Sequence, residues 1–433
     1  MNPPPFPEIA SLWRETAALK HRYPRLKNIV QCDVAIVGGG YTGLSTARHL
    51  ALRGLDPVVV DASRIGWGAS GRNGGVVSGK FRLSFADCAS RYGMDMARRM
   101  AALAHEAVDL VAETVDACGI ADARLRIAGN LRCAHNDIAL ARLRDERDWL
   151  ASNMGDTSSR LLSRQEVIDE TGSSDFVGGL LNPQAGLIHP LNYARGLAAN
   201  LAEQGIRLFE QSPVLRIRRA GDRVEVITPD GAVSARHVAL ATNAYSDLTP
   251  ATARLARTLV PFRSAMVATE PLPPALLATL LREDRSYSET RRMMRWFRKV
   301  DDRILFGGRG AFGRDDSDAA FAALRRKMAA IFPQLAQVRI THRWSGLVAM
   351  TLDSVPHVGP WDERICYAVG YNGAGVAMAT LMGRYLADIV QGGRPDIGLL
   401  AAPRLRTVPC YPLREPIVRL VAGWYQFLDA IGR

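Results

Sequence analysis

No uninterrupted apolar run in the sequence approaches the roughly 18 residues that a membrane-crossing helix requires. The opening MNPPPFPEIA has neither the basic start nor the apolar stretch of a secretory signal, so the expected location is the cytoplasm. Cysteine is sparse: Cys32, Cys88, Cys118, Cys133, Cys366 and Cys410 lie far apart, with no C-x-x-C pair and no histidine at metal-ligand spacing. This excludes a disulfide framework and a metal site as organising features and leaves reduced, mostly buried thiols as the expectation. A basic tail is missing too, although the formal net charge is +12. That charge is mostly arginine spread along the chain, the pattern of a basic solvated surface, with one dense cluster at RRMMRWFRK, Arg291 to Lys299.

What is present is enough apolar material, 48% of 433 residues, for a large core and two domains. The stretch CDVAIVGGGYTGLSTARHLALRGLDPVVVDAS reads as a strand (Asp33 to Val37), a glycine turn, a helix from about Thr42 to Arg53 and a second strand (Pro57 to Val60). Gly38, Gly40 and Gly43 satisfy G-x-G-x-x-G, whose glycines permit the tight turn, the approach of backbone to a pyrophosphate and the close packing of helix on strand. The phosphates are then expected at the helix N-terminus, beside Tyr41 and Thr42, where free N–H groups and the helix dipole favour negative charge. Asp61 ends the second strand 18 positions after Gly43, where a carboxylate accepts hydrogen bonds from the ribose hydroxyls of an adenine dinucleotide.

The fingerprint alone does not separate NAD from FAD, but the segment behind Asp61 does. DASRIGWGASGRNGG lacks helical periodicity and bulky side chains, whereas a nicotinamide dehydrogenase continues into a crossover helix. Glycine-rich backbone of this kind suits the face of a flat ring system, which favours a flavin.

The motifs DVAIVGGGYTGLSTARHL, ASRIGWGASGRNGG, GLIHPLN, ATNAY, LFGGR, RWSGLVAMTLDSVPHVG and GYNGAGV, in this order over nearly the whole chain, resemble the D-amino-acid-oxidase-like FAD-dependent oxidoreductases. Within that family the gamma-glutamylputrescine oxidase group is the most similar. The resemblance implies an α/β chain, α+β overall. A Rossmann-like FAD domain (residues 1–95, 166–260 and 341–433) would be interleaved with a substrate domain on an antiparallel sheet (120–165 and 261–340). It implies noncovalent FAD held by the fingerprint, by Asp61, Ala62 and Ser63, and by Gly68, Ala69, Ser70, Arg72, Asn73, Gly74 and Gly75. Val214 would lie beside the adenine, and Ala241, Thr242 and Asn243 would close over the pyrophosphate. A second glycine turn, Gly370, Asn372, Gly373, Ala374, Gly375 and Val376, would aim a helix N-terminus at the pyrimidine end of the flavin, where charge gathers on reduction. The helix MARRMAALAHEAVDLVAETVDAC, apolar at three-and-four spacing, is expected to pack against the sheet.

Three departures from family patterns matter. Gly346 stands where the sarcosine-oxidase branch carries the cysteine that binds flavin covalently, and Ser78 and Ala377 replace the arginine and lysine that grip its substrate carboxylate. Ala374 stands where relatives of the gamma-glutamylputrescine oxidases often carry histidine. The reaction class survives, because amine oxidation by a flavin needs chiefly a neutral amine with its C–H bond facing N5.

For the substrate, strand alternation through RRMMRWFRK sends Arg295 and Phe297 to one face and Trp296 and Arg298 to the other. One face is expected to line the amine pocket together with Tyr371; the competing reading is a solvated edge whose arginine stems cover apolar surface. Arg72 and Arg309, beside glycine turns, and Trp344 are the candidate catalytic groups near the ring, against surface ion pairs and core packing as the bland alternatives. His189 and His357 are expected to be structural.

These features predict an oxidase of a primary or secondary amine, such as a gamma-glutamyl amine, polyamine, opine or amino-acid-like compound, with molecular oxygen as acceptor. A dehydrogenase would instead pass electrons to a quinone, with the amphipathic EPIVRLVAGWYQFLDAIGR touching a membrane, although that terminal helix is expected to dock on its own domain. An oxidase of a modified tRNA base is a minor third reading, because no RNA-binding module is present and no nucleic-acid partner is expected. No integral membrane association is expected, and oligomeric state is not legible.

Overall fold

A computed structural model describes residues 6–311, 317–402 and 404–430. Two large sheets organise it. The first has a parallel centre in the order Ile365–Val369, Ala232–Leu240, Ile29–Val37, Pro57–Val60, Arg207–Phe209, with His357–Pro360 antiparallel at one edge and the hairpin Arg216–Ala220/Arg223–Ile227 leaving Ala232–Leu240. Its central strands bury both faces, as parallel sheets do. Val34 and Ile36 pack into one apolar cluster with Leu44 and Leu50 of the first helix, while Ala35 and Val37 alternate into another with Val58 and Val238.

The second sheet runs Ile340–Met350, Val260–Thr269, Arg303–Ala311, Arg295–Val300, Ser286–Glu289, Asn130–Ala134, Gly178–Asn182, Arg160–Leu162. All its pairs are antiparallel except Ser286–Glu289 with Asn130–Ala134. Helix Asp318–Ile331 covers one face through Phe321, Leu324 and Met328. The sequence DDSDAAFAALRRKMAAIF reads as a helix, and its first two residues, Asp315 and Asp316, lie outside the described residues, as do the chain ends 1–5 and 431–433.

This topology departs from the domain limits expected from sequence. Gly178–Asn182 and residues 341–350, expected with the cofactor unit, pair within the second sheet. Strand partners distant in sequence, rather than proximity along the chain, decide membership. Helix Met94–Ala117 is a second departure: it packs on helices Gly375–Val390 and Phe85–Tyr92, forming an outer layer instead of lying on the sheet.

The two glycine turns each start a helix, and those helices, Tyr41–Ala51 and Gly375–Val390, lie against one another. Gly383 permits the approach, since a Cβ there would come within 2.5 Å of the Ser45 Cβ. The contact is sealed by Ser45 and Thr46, whose hydroxyls donate to the carbonyls of Thr380 (2.7 Å) and Gly383 (3.1 Å).

Candidate active site

Between the sheets lies a cavity of about 810 Å³ that both helix starts enter. At the first turn Gly38 has φ +115°, a conformation that side chains disfavour. At Gly43 a Cβ would come within 1.9 Å of the Gly38 carbonyl, so only glycine lets helix and strand close up. Neither Gly40 nor Ala374, the N-cap positions of the two helices, makes a side-chain cap. Apart from Tyr41 N–H, which Ser70 Oγ accepts, first-turn N–H groups are left for a ligand, and Tyr41, Thr42, Gly375 and Val376 line the cavity.

Asp61 is held by two backbone donors, Gly39 N–H to Oδ2 at 2.6 Å and Ser63 N–H to Oδ1 at 2.7 Å. Burial raises its pKa above the usual carboxylate range, against the pull of those two bonds. Each oxygen keeps acceptor capacity for a hydroxyl, and Ala62, Ser63 and Val214 line the same end of the cavity. Gly68, Ala69, Ser70, Asn73 and Gly74 form a glycine-rich wall, with Ala241, Thr242 and Asn243 opposite. The wall is internally fixed: Tyr41 N–H donates to Ser70 Oγ at 3.1 Å, and Asn73 Oδ1 accepts from Gly75 N–H at 2.8 Å. At the second turn Gly373 has φ +99° and nothing within 4 Å of where a Cβ would stand. A buried ribose-type acceptor, two helix starts without side-chain caps and a glycine-rich wall fit FAD. These residues would hold it.

The structure separates the other expected residues. Arg72 is buried and lines the cavity, its Nε donating to the Trp67 carbonyl at 2.7 Å and its guanidinium 4.1 Å from the centre of the Trp67 ring. Gly346 faces it, and a Cβ there would meet the Arg72 Cβ at 3.1 Å. Arg309 and Trp296 also line the cavity, Trp296 lying against Gly74 of the glycine wall. Tyr371 also lines the cavity, but its hydroxyl bonds to Thr42 on the fingerprint helix, which puts it on the cofactor side rather than in an amine pocket. Gly43, Gly75 and Gly370 support the turns from behind and are not among the lining residues.

Four expectations are corrected. Trp344 is fully buried and donates its indole N–H to the Arg72 carbonyl at 2.9 Å, packing edge-on to Trp13 away from the cavity. It positions Arg72. Phe297 sits in an aromatic stack with Tyr287 and Phe306 inside the core of the second sheet. Arg295 shares that face, lying across Gly308 beside Leu324. Arg298 is on the Trp296 face as expected but is half-buried and donates to the carbonyls of Gly74, Gly75 and Ile188. It clamps the glycine wall instead of binding substrate.

His189 and His357 make structural contacts, whereas His135 lines the cavity. His189 caps helix Pro190–Glu203 by accepting from Asn192 N–H at 3.1 Å, and His357 meets Asp353 at 2.9 Å. Among the described residues no cysteine lines the cavity and no His/Cys/Asp/Glu group could hold a metal. No helix among them is long and apolar enough to cross a membrane. Sequence reasoning missed Lys80, Arg82, Arg132, Phe262, Met266 and Tyr425, all of which line the cavity.

Comparison with known proteins converges on this geometry. Residues 33–389 match the DAO family model, described as FAD dependent oxidoreductase. The chain is 34% identical to the gamma-glutamylputrescine oxidoreductase of Escherichia coli over 420 residues, 95% of this chain and 96% of that one. It is 31% identical to the probable oxidoreductase OrdL of Haemophilus influenzae over 427 residues, 97% of each. Among solved structures it is similar to glycine oxidase from Geobacillus kaustophilus, with a TM-score of 0.72 at 22% identity over 87% of this chain and 99% of that chain. The L-amino acid deaminase of Proteus myxofaciens, solved with anthranilate, also gives 0.72, at 17% identity over 93% of this chain and 98% of that chain. The chain belongs to the DAO family of FAD-dependent oxidoreductases. It is an enzyme of that family, and FAD is its cofactor.

Proposed function

We propose that the chain oxidises the C–N bond of a primary or secondary amine, with molecular oxygen as the electron acceptor. The observation that carries this reading is the single cavity running from Asp61, past the glycine wall, to Trp296, Phe262 and Met266. Its first part offers the residues that would hold a dinucleotide, and Trp296, Phe262 and Met266 add apolar surface for a small substrate beside them. Bound FAD supplies a two-electron acceptor that takes hydride from the carbon beside nitrogen and returns the electrons to oxygen, giving hydrogen peroxide. The substrate leaves as an imine, which water hydrolyses to an aldehyde or keto acid plus ammonia or an amine. The chain's own contribution is placement and charge. Phe262, Met266 and Trp296 keep bulk water from the reacting C–H bond, while the start of helix Gly375–Val390 offers positive potential to the charge that develops on reduction.

FAD is held noncovalently, since glycine occupies position 346 and no cysteine lines the cavity among the described residues. Acid or heat denaturation releases all the flavin into the supernatant; flavin left on the polypeptide overturns this assignment. The two sheets correspond to a cofactor unit and a substrate unit.

Anaerobic mixing of holoenzyme with polyamines, gamma-glutamyl amines, opines, N-alkyl amino acids and aminophosphonates tests the main reading. At least one compound bleaches the flavin, and admitting oxygen restores the colour with one peroxide per turnover. Failure of the whole panel withdraws the amine assignment. One observation favours a second reading, electron transfer to a membrane quinone: helix Arg414–Ala430 exposes Ile417, Leu420, Val421, Trp424 and Phe427 along one stripe. That helix meets the second sheet, where Asp429 accepts the N–H groups of Arg292 and Met293. Reduced flavin that ignores oxygen but is reoxidised by a quinone, together with flotation on anionic liposomes, would favour it.

A further inference from the structure

Strand Ser286–Glu289 runs in the second sheet between Asn130–Ala134 and Arg295–Val300. Period-two alternation puts Ser286, Ser288 and Thr290 on one face, while Tyr287 stacks on Phe297 in the core of that sheet. The outer two hydroxyls are engaged by the protein. Ser286 Oγ accepts from Asn130 Nδ2 at 2.8 Å, and Thr290 Oγ1 bonds to His135 Nδ1 at 2.8 Å. Ser288, between them, differs. It is 4% exposed and lines the cavity, yet its Oγ has no hydrogen-bond partner among the described residues.

Buried hydroxyls are almost always paired in folded proteins, because an unpaired one forfeits the hydrogen bonds that water gave it. The side chains in register beside Ser288 do not answer it. On one side its strand partner is Trp296, whose indole lies against Gly74 of the glycine wall. On the other it is Arg132, whose guanidinium is paired with Glu146 at 2.7 Å. All three line the cavity, with Ser288 one strand spacing, about 4.8 Å, along the sheet from the tryptophan. The hydroxyl can donate or accept but brings no charge, and neither neighbour supplies a free one.

We propose that Ser288 is a specificity-determining residue whose Oγ bonds to an uncharged hydrogen-bonding group of the substrate, such as an amide, on the part of the molecule away from the reacting amine. Resting on the amine-oxidation reading, it selects within it. Amines that carry such a group are preferred over alkyl amines of the same length, because an alkyl chain in the cavity leaves the Ser288 hydroxyl buried and unpaired. The reacting carbon itself meets the apolar surface of Trp296, Phe262 and Met266.

A matched pair tests this: N-acetylputrescine and heptylamine present the same primary amine on chains of equal length and differ in an amide. For the wild-type holoenzyme kcat/KM is at least tenfold higher for N-acetylputrescine. Ser288→Ala reduces that ratio to below threefold, chiefly by raising KM for the amide, whereas Ser288→Thr, which keeps a hydroxyl, retains it. In parallel, N-butylacetamide, which has the amide and no amine, perturbs the oxidised flavin spectrum with a dissociation constant that rises at least fivefold in Ser288→Ala. The urea midpoint of Ser288→Ala does not fall, since no bond within the fold is lost; a lower midpoint would give the hydroxyl a structural partner and overturn the proposal. Equal kcat/KM for the pair in the wild type, or N-butylacetamide that gives no Ser288-dependent perturbation, also overturns it while leaving amine oxidation standing. Ser288-dependent binding of N-butylacetamide without bleaching by any amine does the reverse.

Discussion

Arg298 on the second sheet donates through Nη1 to the Gly75 carbonyl at 3.2 Å, tying the strand that carries Trp296 to the wall on which the flavin would rest. The same nitrogen reaches the Ile188 carbonyl at 3.0 Å, and burial lowers the guanidinium pKa to about 10. Arg298→Met removes the side-chain donor from the Gly74 and Ile188 carbonyls, while the Gly75 carbonyl keeps its bond from Ile188 N–H at 2.8 Å. We expect a loss of about 2 kcal/mol, read as a lower urea midpoint and weaker FAD retention. Arg298→Lys falls between, because a point charge cannot serve several carbonyls at once. An unchanged flavin affinity in Arg298→Met would detach the clamp from cofactor binding.

Asp61→Asn removes charge from an end of the cavity where both carboxylate oxygens accept backbone N–H groups. The amide must then turn its NH2 toward the N–H of either Gly39 or Ser63, two donors facing each other. With the ribose bonds weakened as well, FAD affinity falls by about two orders of magnitude, corresponding to two charge-assisted hydrogen bonds at about 1.5 kcal/mol each. Equilibrium binding of FAD to apoprotein measures it, and a loss below threefold would place the ribose elsewhere.

The part of the site built from local sequence was legible: the turn at Gly38, the helix behind it and Asp61 lie within one βαβ unit, where spacing alone determines geometry. Alternation correctly paired Trp296 with Arg298 and Arg295 with Phe297, but parity does not say which face meets the cavity; the covering helix Asp318–Ile331 decides that. Trp344 was misread because its neighbours in sequence do touch the cavity while its own side chain points to Trp13. Arg309 was legible beside its glycine turn, but Lys80 and Arg132 have no local signature: Lys80 reaches the cavity from a loop, and Arg132 through a strand that pairs into the second sheet with strands far away in the chain.

Trp296 lies over Gly307 on the neighbouring strand, where an added Cβ would come within 2.2 Å of the indole Nε1, and the same Nε1 edge lies against Gly74. Gly307→Ala therefore displaces the indole toward the substrate compartment. The expected result is a fall in kcat/KM of tenfold or more with FAD affinity changed less than threefold, because the cofactor's ribose and phosphate contacts lie at the other end of the cavity. Stopped-flow flavin reduction and FAD titration separate the two; equal losses in both would mean that the indole supports the flavin rather than the substrate.

Two buried histidines make stability depend on pH. Burial brings His49 and His189 each down from 6.5 to about 4. The unfolded chain therefore binds the extra protons between those values, and the folded protein resists them. The contribution is complete above pH 6.5 and is lost as pH falls toward 4, up to roughly 3 kcal/mol for each group. Urea unfolding of the wild type should steepen in pH dependence below 6.5. His189→Asn isolates one of the two groups, since asparagine still accepts the Asn192 N–H as an N-cap but does not titrate. It should reduce the slope by one proton, about 1.4 kcal/mol per pH unit, within that window. A slope that His189→Asn leaves unchanged would mean that His189 is already protonated, or already exposed, in the folded enzyme.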